Sequence, residues 1–204
     1  RRVLFRSYSF DSNNGYSPVE QADHFDMWSD RYFGGDIYII NVNILYRLIP
    51  NGVELISNLN TIISGDVFLT GGMSFNTPFF YAHVGGNIFS SSDGGDSWVN
   101  RGSSPTSWIF TVNSFSSSNI SSDMVGIGGM EAFRSNNSGN NWQVINNWWT
   151  YYDNPVNDLH ADIPEIRFFL DEEFNEFALI STDGGIYMMD ADLNNANNLS
   201  LNGL

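Results

Sequence analysis

The chain has 204 residues, 42% of them hydrophobic and 15% aromatic, enough apolar material for a sizeable core and too much for a disordered segment. Eight basic residues, all arginine, stand against 23 acidic ones; a net charge of −15 repels phosphate backbones and argues against a nucleic-acid partner. Cysteine is absent, which removes disulfides and thiolate metal sites, and no apolar run is long enough for a membrane helix, so no membrane insertion is expected.

In chain order, Arg1-Arg2-Val3-Leu4-Phe5-Arg6-Ser7 carries three of the eight arginines and reads as a translated sequencing adapter, so it is set aside from the fold. Residues 8–35 read as the remnant of a preceding unit or loop. From residue 36 onward, Gly, Asn and Ser crowd between short aromatic and aliphatic runs, the texture of an all-β chain with many turns. Strands are predicted at 36–41, 44–47 and 53–57, then at 65–69, 79–84, 87–91 and 97–100. A third set falls at 108–115, 123–127, 131–135 and 141–145, and a fourth at 163–170, 176–181, 185–189 and near 199–201. These sets define units at about 36–60, 61–104, 105–147 and 160–204. No helix of useful length is predicted.

An internal repeat underlies the units. Ser91-Ser92-Asp93-Gly94-Gly95-Asp96-Ser97-Trp98 follows Asn87-Ile88-Phe89, and Ser135-Asn136-Asn137-Ser138-Gly139-Asn140-Asn141-Trp142 follows Glu131-Ala132-Phe133. Each has Ser, then Asp or Asn two residues on, Gly two further, and Trp three after that. A weaker copy keeps Tyr46, Gly52 and, at the Trp position, Leu55. Gly52, Gly95 and Gly139 are separated by 43 and 44 residues, a period that suits one four-stranded propeller blade. In such a turn the side chain of Asp93 or Asn137 accepts hydrogen bonds from turn N–H groups. Gly95 and Gly139 supply a backbone conformation closed to residues with a Cβ. Trp98 and Trp142 then fold back as large apolar plugs against their own blades.

The Ser-x-Asp-x-Gly-x-Ser/Thr-Trp pattern resembles the Asp-box, or bacterial neuraminidase repeat; an ordinary Asn/Asp/Gly hairpin turn is the alternative. Further on come Leu159-His160-Ala161-Asp162-Ile163, the run Ile166-Arg167-Phe168-Phe169, then Thr182-Asp183-Gly184-Gly185-Ile186-Tyr187 and a closing Asn202-Gly203-Leu204. That order resembles one blade of secreted, sortilin-like bacterial propellers that carry Asp-boxes. Pro164 stands where that family often has a second His, so no metal or proton-relay role is carried over. The resemblance implies an all-β fold: a β-propeller with four-stranded blades, incomplete, with about four blades in an open arc cut at both ends. It also implies a secreted or cell-surface bacterial location.

In that fold the Asp-box turns join third and fourth strands, and the second-to-third turns and blade links open on the opposite face, where enzymatic relatives hold their active sites. Ser91, Asp93, Gly95, Trp98, Ser135, Asn137, Gly139 and Trp142 are therefore expected to be structural. The long link from Asn146 to Asp162 carries Trp148, Trp149, Tyr151 and Tyr152 and ends at His160, and Asp183 is expected on the same rim. Exposed aromatics flanked by carboxylates suit sugar rings; the alternative is a loop folded inward to shape the fold. Asp153, Asp158, Asp162 and Asp183 are the carboxylates a glycosidase would draw on, Asp162 and Asp183 first. A sialidase would need an arginine cluster, and Arg47 and Arg134 lie beside Asp-box turns, on the wrong face. Asp171-Glu172-Glu173 reads as a solvated turn without calcium-ligand spacing, and neither a metal site nor a cofactor is expected. The sequence thus points to a non-catalytic propeller that binds a glycan or an extracellular protein through its top face, with a xyloglucanase-like glycoside hydrolase as the alternative.

Overall fold

The structure, a computed structural model, describes residues 8–11, 15–18, 25–61 and 66–200. The heptad at 1–7, Gly65 and the closing Asn202-Gly203-Leu204 lie outside the described residues. Strands β1 (Tyr8–Asp11) and β2 (Gly15–Pro18) form an antiparallel hairpin. Four antiparallel sheets follow, each a four-stranded meander. The first holds β3 (Phe25–Ser29), β4 (Ile37–Asn41), β5 (Ile44–Ile49) and β6 (Gly52–Asn58). The second holds β7 (Val67–Ser74), β8 (Thr77–Val84), β9 (Asn87–Ser91) and β10 (Val99–Ser103). The third holds β11 (Phe115–Ser117), β12 (Val125–Gly128), β13 (Ala132–Ser135) and β14 (Gln143–Val144), and the fourth β15 (Glu165–Leu170), β16 (Glu176–Thr182), β17 (Gly185–Asp190) and β18 (Ala196–Asn198).

The core lies between the sheets, and strand periodicity explains it. Side chains alternate across a strand, so the run Phe79-Phe80-Tyr81-Ala82 of β8 serves two neighbours. Phe80 and Ala82 pack with Tyr38, Ile40 and Leu45 of the first sheet. Phe79 and Tyr81 pack with Phe115, Val125 and Ile127 of the third. A further cluster joins Met124 and Ala132 of the third sheet and its flanking turn to Ile166, Phe168, Ala178 and Tyr187 of the fourth. Both faces of the second and third sheets are covered in this way. On the far face of the first sheet, the cross-strand row Met27, Ile39, Tyr46 and Leu55 has no sheet over it among the described residues, and Met27 and Leu55 are exposed.

The innermost strands β3, β7, β11 and β15 surround a polar cleft of about 210 Å3. Side chains stitch each to the next. The Leu69 N–H donates to Asp26 Oδ2 (2.8 Å), the Ser117 N–H to Thr70 Oγ1 (3.1 Å), and the Ser114 and Thr111 hydroxyls to the carbonyls of Ile163 and Pro164 (2.7 Å each). Burial pushes the Asp26 carboxyl up to about 6, against the N–H bonds it receives from Leu69 and Met27. The first and last sheets share no strand pairing. Among the described residues the Leu170 N–H, at the end of β15, donates to the Tyr32 hydroxyl (3.1 Å), and the loop residue Phe33 stacks on Phe174 at 6.2 Å.

Three features differ from the sequence reading. The first sheet does not begin at residue 36; β3, inside the 8–35 stretch, is its innermost strand, held by Trp28 packing edge-on against Phe80 (5.3 Å). The strand predicted at 108–115 is the short β11, because Val112–Ser114 forms a 3-10 turn capped by Thr111, whose hydroxyl accepts from the Asn113 N–H (3.1 Å). The final strand lies at Ala196–Asn198, not near 199–201.

Candidate functional site

The third-to-fourth turns of the second and third sheets share one hydrogen-bond network. The Ser91 hydroxyl donates to Asp93 Oδ1 (2.7 Å) and accepts from the Gly95 N–H (3.0 Å), and the Ser97 N–H donates to Asp93 Oδ1 (3.0 Å). In the other turn the Ser135 hydroxyl donates to Asn137 Oδ1 (3.0 Å) and accepts from the Gly139 N–H (2.9 Å), and the Asn141 N–H donates to Asn137 Oδ1 (2.9 Å). Gly95 and Gly139 have φ of 92° and 82°. Burial opposes ionisation of Asp93, and the hydrogen bonds from Ser97 and Ser91 together outweigh it, holding the carboxyl below its usual range.

The Trp plugs pack on their own sheets and also reach the preceding one. Trp98 stacks on Phe80 of its own sheet (6.3 Å) but donates its Nε1–H to Ser57 Oγ of the first (3.0 Å). Trp142 packs against a cluster drawn from the second and third sheets. Both are half-buried wedges between sheets. In the fourth sheet Leu193, at φ 54° and fully buried, fills the corresponding turn, which has no Trp.

The opposite rim gathers the link and the second-to-third turns. Asn146 closes the base of the link: its amide donates to the Leu159 carbonyl and accepts from the Leu159 N–H, both at 3.0 Å. The link is pinned onto the fourth sheet by the Tyr187 hydroxyl and the Asn198 amide, both donating to the Pro155 carbonyl (3.1 and 3.0 Å). Its tip, Trp148–Tyr152, is a 3-10 turn. Trp148 is half-buried and meets Trp149 and Tyr152 edge-on at 6.0 and 6.2 Å; both of those rings are exposed. Tyr151 is half-buried and packs edge-on against His160 at 4.7 Å, over Gly184, where a Cβ would stand 2.8 Å from the Tyr151 ring. The Tyr152 hydroxyl pairs with His160 Nε2 at 3.2 Å.

The Asp183 N–H reaches the Ala161 carbonyl (3.4 Å) and the Asp162 N–H the Met130 carbonyl (3.0 Å), so His160, Asp162 and Asp183 stand on one rim. Asp162 has φ of 62°, an uncommon conformation for a residue with a side chain. Asp158 instead takes the Asn154 amide within the link (3.4 Å), and Asp153 is the exposed C-cap of the 3-10 turn. Among the described residues no three His, Asp or Glu side chains converge as a metal would require.

A second hollow on this rim escaped the sequence reading. It measures about 520 Å3 and is lined by Asp66, His83, Gly86, Thr106 and Trp108 among others. Trp108 is exposed, while His83 is buried against Phe68 (5.6 Å) with its Nδ1 unpaired. Burial lowers the His83 pKa to about 4, against the pull of Asp66, so the ring is neutral at physiological pH. Trp108 was hidden because it reads as a strand residue, whereas it lies in the link between sheets, as Trp148 does.

No family model matches the sequence, and no curated protein matches it. Among solved structures, a GH74 enzyme from Niastella koreensis superposes on 86% of this chain with a TM-score of 0.51 at 16% identity. The chain spans 29% of that enzyme's length. YCF48 from Cyanidioschyzon merolae aligns over 89% of this chain and 75% of its own, at 12% identity and a TM-score of 0.38. The fold is a β-propeller. Its four sheets are blades in an open arc, and the aromatic link and the hollow at Trp108 lie on the propeller face opposite the Ser91 and Ser135 turns.

Proposed function

We propose that this is an Asp-box propeller of the secreted or cell-surface kind, and that its top face binds a glycan without chemistry. The observation that carries the reading is the pair of exposed rings, Trp149 and Tyr152, held edge-on by Trp148 beside His160. A fixed aromatic pair with polar neighbours suits the apolar face and hydroxyl rim of a sugar ring, and Trp108 is a further exposed ring on the same face, beside its own hollow. The matching networks at Asp93 and Asn137 support the Asp-box reading. Glycan-array binding tests it. Trp149→Ala and Tyr152→Ala are expected to lower binding about tenfold or more, the loss of one well-buried aromatic contact, with an unchanged circular-dichroism spectrum. Undiminished binding in both variants overturns the proposal.

A second reading, glycoside hydrolysis, draws on the fold likeness to a GH74 enzyme and on the contact that brings the Asp162 and Asp183 segments together. Hydrolysis of a β-glucan that is abolished by Asp162→Asn would establish it over pure binding.

A further inference from the structure

The face opposite the aromatic rim carries its own pattern. In every blade the turn between the first and second strands presents a large apolar side chain to water: Phe33 (46% exposed), Phe75 (97%), Ile120 (42%) and Phe174 (60%). Phe75 and Phe174 have φ of 56° and 64°, a left-handed conformation that turns normally give to Gly or Asn. Both residues are thus unfavourable twice over, in backbone and in exposure.

These tips form one surface. Phe33 stacks on Phe174, the Met73 N–H donates to the Asn119 carbonyl (2.8 Å), and Glu176 accepts from the Asn119 N–H (2.6 Å) and the Ser118 hydroxyl. The turns therefore meet around one mouth of the central cleft. The Ser138 N–H, in a third-to-fourth turn, donates to the Asp123 carbonyl at 2.9 Å, which puts this mouth on the Asp-box side. The same four turns carry Asp30, Asp123, Asp171, Glu172 and Glu173 against Arg31, while Asp36 is paired with Arg47 (3.2 Å).

We infer that this face docks a polypeptide segment that presents apolar side chains between lysines or arginines. Apolar tips inside an acidic collar complement such a segment in both respects. The collar repels a second copy of this chain, which carries a net charge of −15, and it repels anionic bilayers. The surface is independent of the proposed glycan rim.

The probe is a fluorescein-labelled peptide of alternating Leu and Lys, followed by anisotropy, with a Ser/Lys peptide of equal charge and length as control. Zwitterionic and anionic phosphatidylcholine/phosphatidylserine vesicles are the competing surfaces. The Leu/Lys peptide is expected to bind at least tenfold tighter than the Ser/Lys peptide. Phe75→Asn and Ile120→Asn are each expected to weaken it about tenfold. Asn accepts the left-handed backbone at position 75, so the Phe75→Asn melting temperature should not fall, which separates lost docking from lost folding. Trp149→Ala should leave peptide binding unchanged, so failure here and failure of the glycan reading are distinguishable. Equal affinity for the two peptides, wild-type binding by both tip variants, or Phe75-dependent binding to vesicles but not to the peptide would each overturn the inference.

Discussion

The turns at 91–98 and 135–142 have the same network of Ser, Asx and Gly, yet they sit differently on the preceding blade. A Cβ on Gly95 would stand 2.2 Å from Leu45 Cδ2, whereas one on Gly139 would stand 3.3 Å from Ile88 Cγ2. Trp98 has a partner for its N–H in Ser57, and Trp142 Nε1 is buried without one. The first network holds a carboxylate and the second an amide. Local turn chemistry is therefore shared, while each turn's cost and tightness depend on the blade it leans against.

Substitution should separate the two turns most sharply at the glycines. Gly95→Ala combines a forbidden φ with a clash against the first blade, and about 3 kcal/mol or more of stability should be lost in urea denaturation. Gly139→Ala meets mainly the backbone penalty and should cost about 1–2 kcal/mol by the same measurement. Equal losses would show that the preceding blade does not matter.

The tryptophans should diverge by less. Trp98→Phe removes the bond to Ser57 and should cost about 1–2 kcal/mol. Trp142→Phe removes a buried donor that has no partner, which offsets the lost ring volume, so its melting temperature should change less than that of Trp98→Phe. The reverse order would break the distinction.

The smallest effect concerns acid. Asp93 has a folded-state pKa below its unfolded value, so its contribution is fully present above the ordinary carboxylate pKa and is lost as pH falls through the folded value. Asn137 does not titrate. Asp93→Asn should therefore flatten the fall in melting temperature below about pH 4. Asn137→Asp should steepen it. An unchanged acid limb in both variants would mean that the network does not discriminate charge.

The strand order from β4 to β17, the spacing of about 44 residues and the place of both Ser-Asx-Gly turns are legible in the residues alone. These rest on interactions within about eight residues: an Asx side chain over its own turn, and a backbone that only glycine enters readily. The same local logic located His160, Asp162 and Asp183 on one rim, through connectivity alone. Facing was not legible, because it depends on residues some 40 positions away. β3 was missed although Asp30 and Gly34-Gly35 mark a turn after it, because Phe25–Ser29 lies outside the repeat; the place of Trp28 is fixed by Tyr38 and by Phe80 of the second blade. Trp108 and His83 needed the link and the second blade to come together before a hollow existed. The exposed tips were equally hidden, since Phe33, Phe75 and Phe174 read as ordinary apolar residues until the tertiary structure leaves them without cover. Within one strand, alternation says that a side chain faces one side or the other; only the neighbouring blade decides whether that side is core or water.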